Sequence, residues 1–131
     1  MSSTGKTTVA RIMGKLLKSL ELISKADVLE CSASDFTTGY AGQASGKTRE
    51  IFKQAKGGVL FIDEAYRLNP EKGGVYMKEV VDEVVQLLTE KDFRNNLAVI
   101  FAGYEEDMAM LFKVNRGLKS RIQTTLTFPA W

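Results

Sequence analysis

A short apolar run that ends in two adjacent carboxylates constrains this chain more than any other feature. Residues 58–62 read GVLFI, and Asp63 and Glu64 follow directly. An uninterrupted apolar run of this length is typical of a parallel strand that is buried on both faces of a sheet. Ligands of open α/β sheets bind at the carboxyl edge, where such strands end. The run therefore predicts a buried strand that delivers Asp63 and Glu64 to a functional edge.

Helical and strand-like patterns alternate along the rest of the chain. Apolar residues at helical spacing predict helices over about residues 5–20, 44–56, 76–88 and 105–112. Short apolar runs predict strands over 26–31, 58–62, 97–102 and 124–128. Turn-forming residues predict breaks at 69–74 and around 115–117. Strands that alternate with helices indicate an α/β fold, with a parallel sheet between two layers of helices.

Composition excludes several classes of function. The 131 residues include no histidine, so catalysis must rest on carboxylates, Lys, Arg and a borrowed metal ion. The net charge is only +2, and the basic residues are scattered among acidic ones, so we expect no nucleic-acid partner. No apolar run approaches the roughly 20 residues that cross a bilayer, and we expect no membrane partner. The lone Cys31 cannot form an internal disulfide, which favours a reducing intracellular compartment, the cytoplasm or an organelle.

The start of the first predicted helix carries the residues of a phosphate site. Gly5-Lys6-Thr7-Thr8 opens that helix, where backbone N–H groups and the helix dipole favour an anion. The Lys6 ammonium can reach β- and γ-phosphates, and the Thr7 hydroxyl can ligate Mg²⁺. Only the second half of the signature G-x-x-x-x-G-K-[ST] is present, because its first glycine would precede Met1. On its own this triplet is equally compatible with a chance Gly-Lys at a surface helix.

Asp63 and Glu64 are candidates for the metal-binding and catalytic carboxylates that a nucleotide site needs beside its phosphate-binding residues. Asp63 would hold Mg²⁺, and Glu64 would polarise the water that attacks the γ-phosphate. The competing interpretation is a strand that runs into a solvated acidic turn. The Gly-Lys-Thr triplet upstream, with a further helix and strand between, favours the nucleotide site.

The residues resemble the AAA+ ATPases, and within them the CbbX and SpoVK-like group. The resemblance covers nearly the whole chain and rests on the segments GKTTVARIMGKLL, TTGYAGQ, GGVLFIDEAYRL, AVIFAGYEEDM, NRGLKSRI and LTFPAW. It implies a P-loop fold that binds ATP and Mg²⁺, with phosphate contacts from residues 4–8, namely Thr4, Gly5, Lys6, Thr7 and Thr8. Thr7 and Asp63 match the metal-binding positions, and Glu64 matches the catalytic carboxylate.

The resemblance also implies an assembly. Arg121 falls where this group carries its arginine finger, which reaches the nucleotide of a neighbouring subunit and implies a ring, commonly a hexamer. Tyr40 looks like the pore-loop aromatic that grips a protein substrate. The plainer alternatives are an exposed arginine beside a strand for Arg121 and a tyrosine packed over the sheet edge for Tyr40.

The chain departs from the family pattern in ways that predict an incomplete core over residues 1–131. The strand that precedes the P-loop is missing from the middle of the sheet, between the strand at 97–102 and the last one, so both neighbours are expected to expose unpaired edges. The helical lid domain that normally follows is also absent. Arg116 and Lys119 replace the usual proline and first arginine of that segment, and Lys119 keeps the charge without the bidentate geometry.

Three functions follow from these residues. The leading one is an ATPase that remodels another protein through a ring pore. The alternative is a truncated, non-hydrolysing module for nucleotide binding or assembly. A DNA- or RNA-handling ATPase has less support, because the charge is nearly balanced.

Overall fold

Four parallel strands form one sheet in the computed structural model, which describes residues 3–37, 44–122 and 124–128. The strands lie side by side in chain order, β1-β2-β3-β4. Their bounds are Val28–Ser32 for β1, Val59–Asp63 for β2, Ala98–Tyr104 for β3 and Thr124–Phe128 for β4. All four were predicted from the sequence to within about two residues at each end.

Helices cover both faces of this sheet. They are α1 (Ser3–Ser19), α2 (Ala44–Ala55), α3 (Pro70–Gly73), α4 (Met77–Thr89), α5 (Lys91–Arg94), α6 (Glu105–Val114) and α7 (Arg116–Arg121). Short 3₁₀ turns follow β1 at Ala33–Phe36 and β2 at Ala65–Leu68. One buried cluster joins α1 to one face of β2 and β3, and a larger one joins α2, α4, α6 and α7 to the other. The three-layer α/β architecture is confirmed.

The β2 strand is the apolar run from which the fold was predicted. Val59, Leu60, Phe61 and Ile62 are all fully buried. Because side chains alternate along a strand, Val59 and Phe61 pack in the α1 cluster, while Leu60 and Ile62 pack in the larger one. Burial of each such side chain stabilises the fold by roughly 1.5–3 kcal/mol.

The β3 and β4 strands pair directly, which corrects the expectation of two exposed edges in the middle of the sheet. Their register runs from Ile100 opposite Thr124 to Tyr104 opposite Phe128. Unpaired backbone groups cost free energy, and the direct pairing of the two strands satisfies them. The four described strands therefore make a continuous sheet.

The turns differ from the sequence prediction in two places. The break at 69–74 contains the short helix α3, whose first turn is capped by the Asn69 side chain, an acceptor for the Glu71 N–H. The expected loop at 115–117 is instead the start of α7, where the Asn115 side chain accepts the Leu118 N–H. Leu118 is fully buried, and that burial offsets the poor helix propensity of Gly117.

A glycine permits the close approach of the two segments that precede β1 and β2, at the amino edge of the sheet. A Cβ on Gly58 would lie 2.4 Å from the Asp27 carbonyl oxygen. The Val59 N–H donates to that same carbonyl at 2.9 Å, and this bond helps set the register of β2 against β1. None of the helices in the described part of the chain is long and apolar enough to cross a bilayer.

Candidate functional site

The first turns of α1 meet the ends of β1 and β2 at the carboxyl edge of the sheet. Asp63 is the last residue of β2, and its register partner Ser32 is the last residue of β1. Helix α1 begins at Ser3, so Gly5, Lys6 and Thr7 lie in its first turns. Residues that are far apart in the sequence thus converge on one edge.

Lys6 and Asp63 form an ion pair although 57 residues separate them. The Lys6 Nζ atom lies 3.4 Å from Asp63 Oδ1, and the two side chains are 17% and 20% exposed. A partly buried pair is screened less than a surface pair, while solvent still reaches both groups. The structure therefore brings together the two residues that the sequence assigned to phosphate and metal.

Asp63 is held in place from its own backbone as well. Its Oδ1 atom accepts the Glu64 N–H at 2.8 Å. The carboxylate is consequently oriented before any ligand arrives, which lowers the entropic cost of using it.

Glu64 has an unusual backbone conformation, with φ 51° and ψ 41° in the left-handed region. A residue other than glycine held there costs of order 1–3 kcal/mol, and such residues cluster at functional sites. The turn directs Glu64 away from the strand, so that its Oε2 atom lies 3.5 Å from Arg67 Nε. Arg67 also stacks over the Tyr66 ring at 5.8 Å from the centroid.

Glu30 is a carboxylate at this edge that the sequence prediction missed. Its Oε2 atom accepts the Thr7 hydroxyl at 2.9 Å. The signal was present, because Glu30 is the one charged residue in the short strand VLECS. Glu30 is the exposed residue of this edge strand, and its carboxylate reaches Thr7 near the start of α1.

Cys31, beside Glu30 on β1, is not a reactive thiol. Burial raises its pKa to about 12, and the Asp35 and Glu30 carboxylates act in the same direction. A thiol nucleophile requires the opposite shift. A pKa raised in this way leaves little Cys31 thiolate at neutral pH.

The remaining predicted site residues are two threonines on α1, an arginine on α7 and Tyr40. Thr4 and Thr8 lie in the first two turns of α1. Arg121 ends α7 just before β4 and lines a small cleft with Leu97 and Val99, near the start of β3. It thus lies toward the amino edge of the sheet, away from Asp63, and its Nη1 atom donates to the Gly117 carbonyl at 3.1 Å. Tyr40 lies outside the described residues.

The donor atoms suit Mg²⁺ held together with a phosphate. The described residues contain no cluster of three or more His, Cys, Asp or Glu side chains that could hold a metal ion alone. Mg²⁺ in nucleotide sites takes one or two protein oxygens, and phosphates and water complete its shell. Thr7 and Asp63 offer hard oxygen donors of this kind, and Lys6 offers a cation for the phosphate.

Comparison with known proteins identifies the family. Residues 2–130 match the family described as ATPase family associated with various cellular activities (AAA). The chain belongs to the AAA family.

Relatives of this AAA chain confirm the resemblance to the CbbX and SpoVK-like group. It is 39% identical to stage V sporulation protein K of Bacillus subtilis, over 96% of the chain and 38% of that protein. It is 42% identical to the CfxQ homolog of Pyropia yezoensis, over 96% of the chain and 42% of that protein. It is 41% identical to the ESX-1 secretion system protein EccA1 of Mycobacterium tuberculosis, over 98% of the chain and 22% of that protein. The AAA chain thus spans between about a fifth and two fifths of the length of these relatives.

Proposed function

We propose that this chain is the ATP-binding and ATP-hydrolysing core of a AAA ATPase. The observation that carries the proposal is the pairing of Lys6, in the first turns of α1, with Asp63 at the end of β2. A cation for phosphate and a carboxylate for metal then lie side by side at the carboxyl edge, where open α/β sheets bind ligands. Family membership supports the same conclusion.

Each residue has a proposed role. The Lys6 ammonium contacts the β- and γ-phosphates, and the backbone of residues 4–8 lies at the helix N-terminus, where the dipole attracts anions. Thr7 and Asp63 would hold Mg²⁺, which neutralises charge on the transferred phosphoryl group. Glu64 orients the attacking water and accepts its proton. For that role Glu64 must leave Arg67, and an exposed pair of this kind costs less than about 1 kcal/mol to break.

Arg121 is proposed to act on the nucleotide of a neighbouring copy. Its place toward the amino edge supports this role, because it lies at the other end of the sheet from Lys6 and Asp63. Interfaces that join different surfaces of identical subunits close into rings, and we propose a hexamer on the family pattern. We further propose that Tyr40 contacts a protein substrate in the pore, where an aromatic ring grips varied chains by apolar contact.

One observation favours the alternative of a non-hydrolysing nucleotide-binding or assembly module. The Glu64 carboxylate forms an ion pair with Arg67. If this ion pair persisted with nucleotide bound, no base would be available for water. Binding and hydrolysis must therefore be measured separately.

Nucleotide binding is tested by titration with mant-ATP, a fluorescent ATP analogue, in the presence of Mg²⁺. Lys6→Ala removes a charged hydrogen-bond donor and should weaken binding by about 1.5–3 kcal/mol, or roughly 10- to 150-fold. Lys15→Ala is the matched control, because Lys15 is an exposed lysine on the same helix. Equal affinities for the two variants, or no saturable binding by the wild-type chain, would contradict the proposed site.

Hydrolysis is tested with Glu64→Gln, which keeps the shape of the side chain and removes its basicity. We expect mant-ATP affinity within about twofold of wild type and phosphate release at least 100-fold slower, because general bases contribute about 10²- to 10⁴-fold. Wild-type chain that binds the analogue but releases no phosphate above the Glu64→Gln rate, even when assembled, would establish the non-hydrolysing alternative.

A further inference from the structure

We propose that Glu30 is a positioning residue for the metal site, because it accepts the Thr7 hydroxyl proton and so orients that oxygen to bind Mg²⁺ through a lone pair. The inference rests on the proposed nucleotide site and adds to it a residue that the sequence did not single out. The hydrogen bond from Thr7 Oγ1 to Glu30 Oε2, at 2.9 Å, is the observation that carries it.

The strand alternation explains why Glu30 reaches α1. Val28 packs in the cluster beneath α1, whereas Leu29 and Cys31 pack against the larger cluster on the other face. Glu30 is two residues after Val28 and shares its face of the sheet. Its position in the strand therefore places Glu30, an exposed residue, on the α1 side of the sheet within reach of Thr7.

The neighbouring strand places Asp63 on the same face. Phe61 is the register partner of Glu30 and packs in the α1 cluster, and Asp63 follows it by two residues. The adjacent residues Lys6 and Thr7 thus contact two different carboxylates, Asp63 and Glu30, on two neighbouring strands. The sheet therefore holds both candidate metal-binding residues: Asp63 is part of β2, and Thr7 is bonded to Glu30 of β1.

The chemistry of a hydroxyl decides what the Glu30 contact does. A threonine hydroxyl has one proton to donate and two lone pairs to offer. An ionised carboxylate only accepts, so Thr7 donates its proton to Glu30 and would bind a cation through an oxygen lone pair. Donation to Glu30 also draws the O–H bond toward the carboxylate and makes the oxygen a better ligand for a cation.

A competing role is purely mechanical, with the Glu30–Thr7 bond tying α1 to β1. The two roles differ in what they change. Loss of a tether would weaken nucleotide binding equally with and without Mg²⁺. Loss of an orienting acceptor would reduce only the increase in nucleotide affinity that Mg²⁺ provides. That gain is the ratio of the mant-ATP Kd in EDTA to its Kd in saturating Mg²⁺, a coupling between the two ligands.

The experiment measures this ratio for the 131-residue chain and three variants. Glu30→Ala removes the acceptor and the charge, and Glu30→Gln keeps an acceptor oxygen but removes the charge. Glu50→Gln is the matched control, since Glu50 is an exposed glutamate on α2, which packs on the opposite face of the sheet. Thermal melting of each variant monitors the fold.

We expect Glu30→Ala to lower the ratio by about threefold to tenfold, the range of one hydrogen bond, while the Kd in EDTA stays within about twofold. Glu30→Gln should retain part of the effect, and Glu50→Gln should match wild type. In a Thr7→Val background, Glu30→Ala should change the ratio no further, because the partner hydroxyl is already gone.

Other results overturn the inference. An unchanged ratio in Glu30→Ala, or equal losses in EDTA and Mg²⁺, would leave Glu30 with a mechanical role only. A raised ratio would mean that Glu30 competes with the metal for Thr7. Absence of mant-ATP binding by wild type in EDTA and in Mg²⁺ alike would instead refute the proposed nucleotide site, and this inference with it.

Discussion

At the scale of single residues, the carboxyl edge is held by three side-chain pairs, two of which join groups that are distant in sequence. Lys6 contacts Asp63, Thr7 contacts Glu30, and Glu64 contacts Arg67. The ion pairs at Lys6 and Glu64 join opposite charges, and a bound nucleotide would compete for them. Nucleotide binding at this edge would therefore exchange one set of charge contacts for another.

The Cys31 thiol provides a residue-scale prediction that depends on burial. Because its pKa is raised to about 12, the thiolate fraction near pH 8 should be about 1,000-fold lower than for an ordinary cysteine. Iodoacetamide should therefore modify the folded chain at least 100-fold more slowly than the chain unfolded in urea. Equal rates at pH 8 would show that Cys31 is not buried as described.

The raised pKa of Cys31 also affects how the stability of the fold depends on pH. The folded chain holds the thiol proton to a higher pH than the unfolded chain does. This contribution to the free energy of unfolding is fully present below about pH 8.5 and is lost as the pH rises towards 12. A Cys31→Ser variant should lack this part of the alkaline decline, which urea denaturation at pH 8 and pH 10 would measure.

At the scale of elements, an arginine joins α2 to α4. The Arg49 guanidinium contacts both carboxylate oxygens of Glu90, at 2.8 and 3.1 Å, and its Nε atom lies 3.3 Å from Glu83 Oε2. A two-pronged contact of this kind fixes direction as well as distance. Helix α2 begins shortly after the segment that contains Tyr40, and α4 follows the Asp63–Glu64 turn. The contact of Arg49 with Glu83 and Glu90 therefore links α2, which follows the Tyr40 segment, to α4, which follows the Asp63–Glu64 turn.

The Arg49–Glu90 contact predicts a dependence of stability on acid pH. The hydrogen bond from Arg49 holds the pKa of Glu90 below its ordinary value. A lowered pKa stabilises the fold above the ordinary value of about 4.3, and this contribution is lost as the pH falls through the folded value. Arg49→Met should lower the melting temperature at pH 7, and the difference from wild type should shrink between about pH 4 and pH 2.

The matched control for this contact is Lys78→Met. Lys78 pairs with Asp82 on the surface of α4, where the two side chains are 81% and 67% exposed. Such surface pairs contribute little, so Lys78→Met should barely change the melting temperature at either pH. A difference for Arg49→Met that stayed constant from pH 7 to pH 2 would show that its effect comes from packing and not from the pair with Glu90.

At the scale of the whole molecule, the two proposed halves of the catalytic site lie toward opposite edges of the sheet. Lys6 and Asp63 are at the carboxyl edge, and Arg121 is toward the amino edge. One copy cannot complete the proposed site unless another copy supplies its Arg121. Hydrolysis by this mechanism requires assembly, while nucleotide binding does not.

Mixing two inactive variants tests this arrangement. Arg121→Ala should bind mant-ATP like wild type but hydrolyse ATP at least 100-fold more slowly, because arginine fingers contribute about 10³- to 10⁵-fold. In a 1:1 mixture with Lys6→Ala, about a quarter of the interfaces would combine an intact Lys6 with an intact Arg121, if subunits associate at random head to tail. Phosphate release near a quarter of the wild-type rate is the expected result.

The control for the mixture is Lys119→Ala, which removes a neighbouring cation on the same helix. It should retain most of the wild-type rate, because its flexible ammonium lacks the planar fork of arginine. A mixture that recovered no activity, although the subunits co-assembled, would place Arg121 outside the catalytic site.

Periodicity and motifs alone predicted the four strands, the longer helices, the three layers and the family of this protein. Apolar periodicity follows directly from which faces are buried, and the apolar run at 58–62 predicted β2, which has Asp63 at its end. The pairing of Lys6 with Asp63 could also be anticipated, because strand ends and helix starts of an α/β fold converge at one edge. The roles of Tyr40, Glu64 and Arg121 remain predictions.

Contacts between segments that are far apart in the chain became visible only in the folded structure. The direct pairing of β3 with β4, the reach of Thr7 to Glu30 and the contact of Arg49 with Glu90 join segments at least 20 residues apart. No local pattern encodes such distances, because they follow from how the layers pack. Helix α7 shows the same rule, since Gly117 disfavours a helix locally and the burial of Leu118 in the assembled core overrides it.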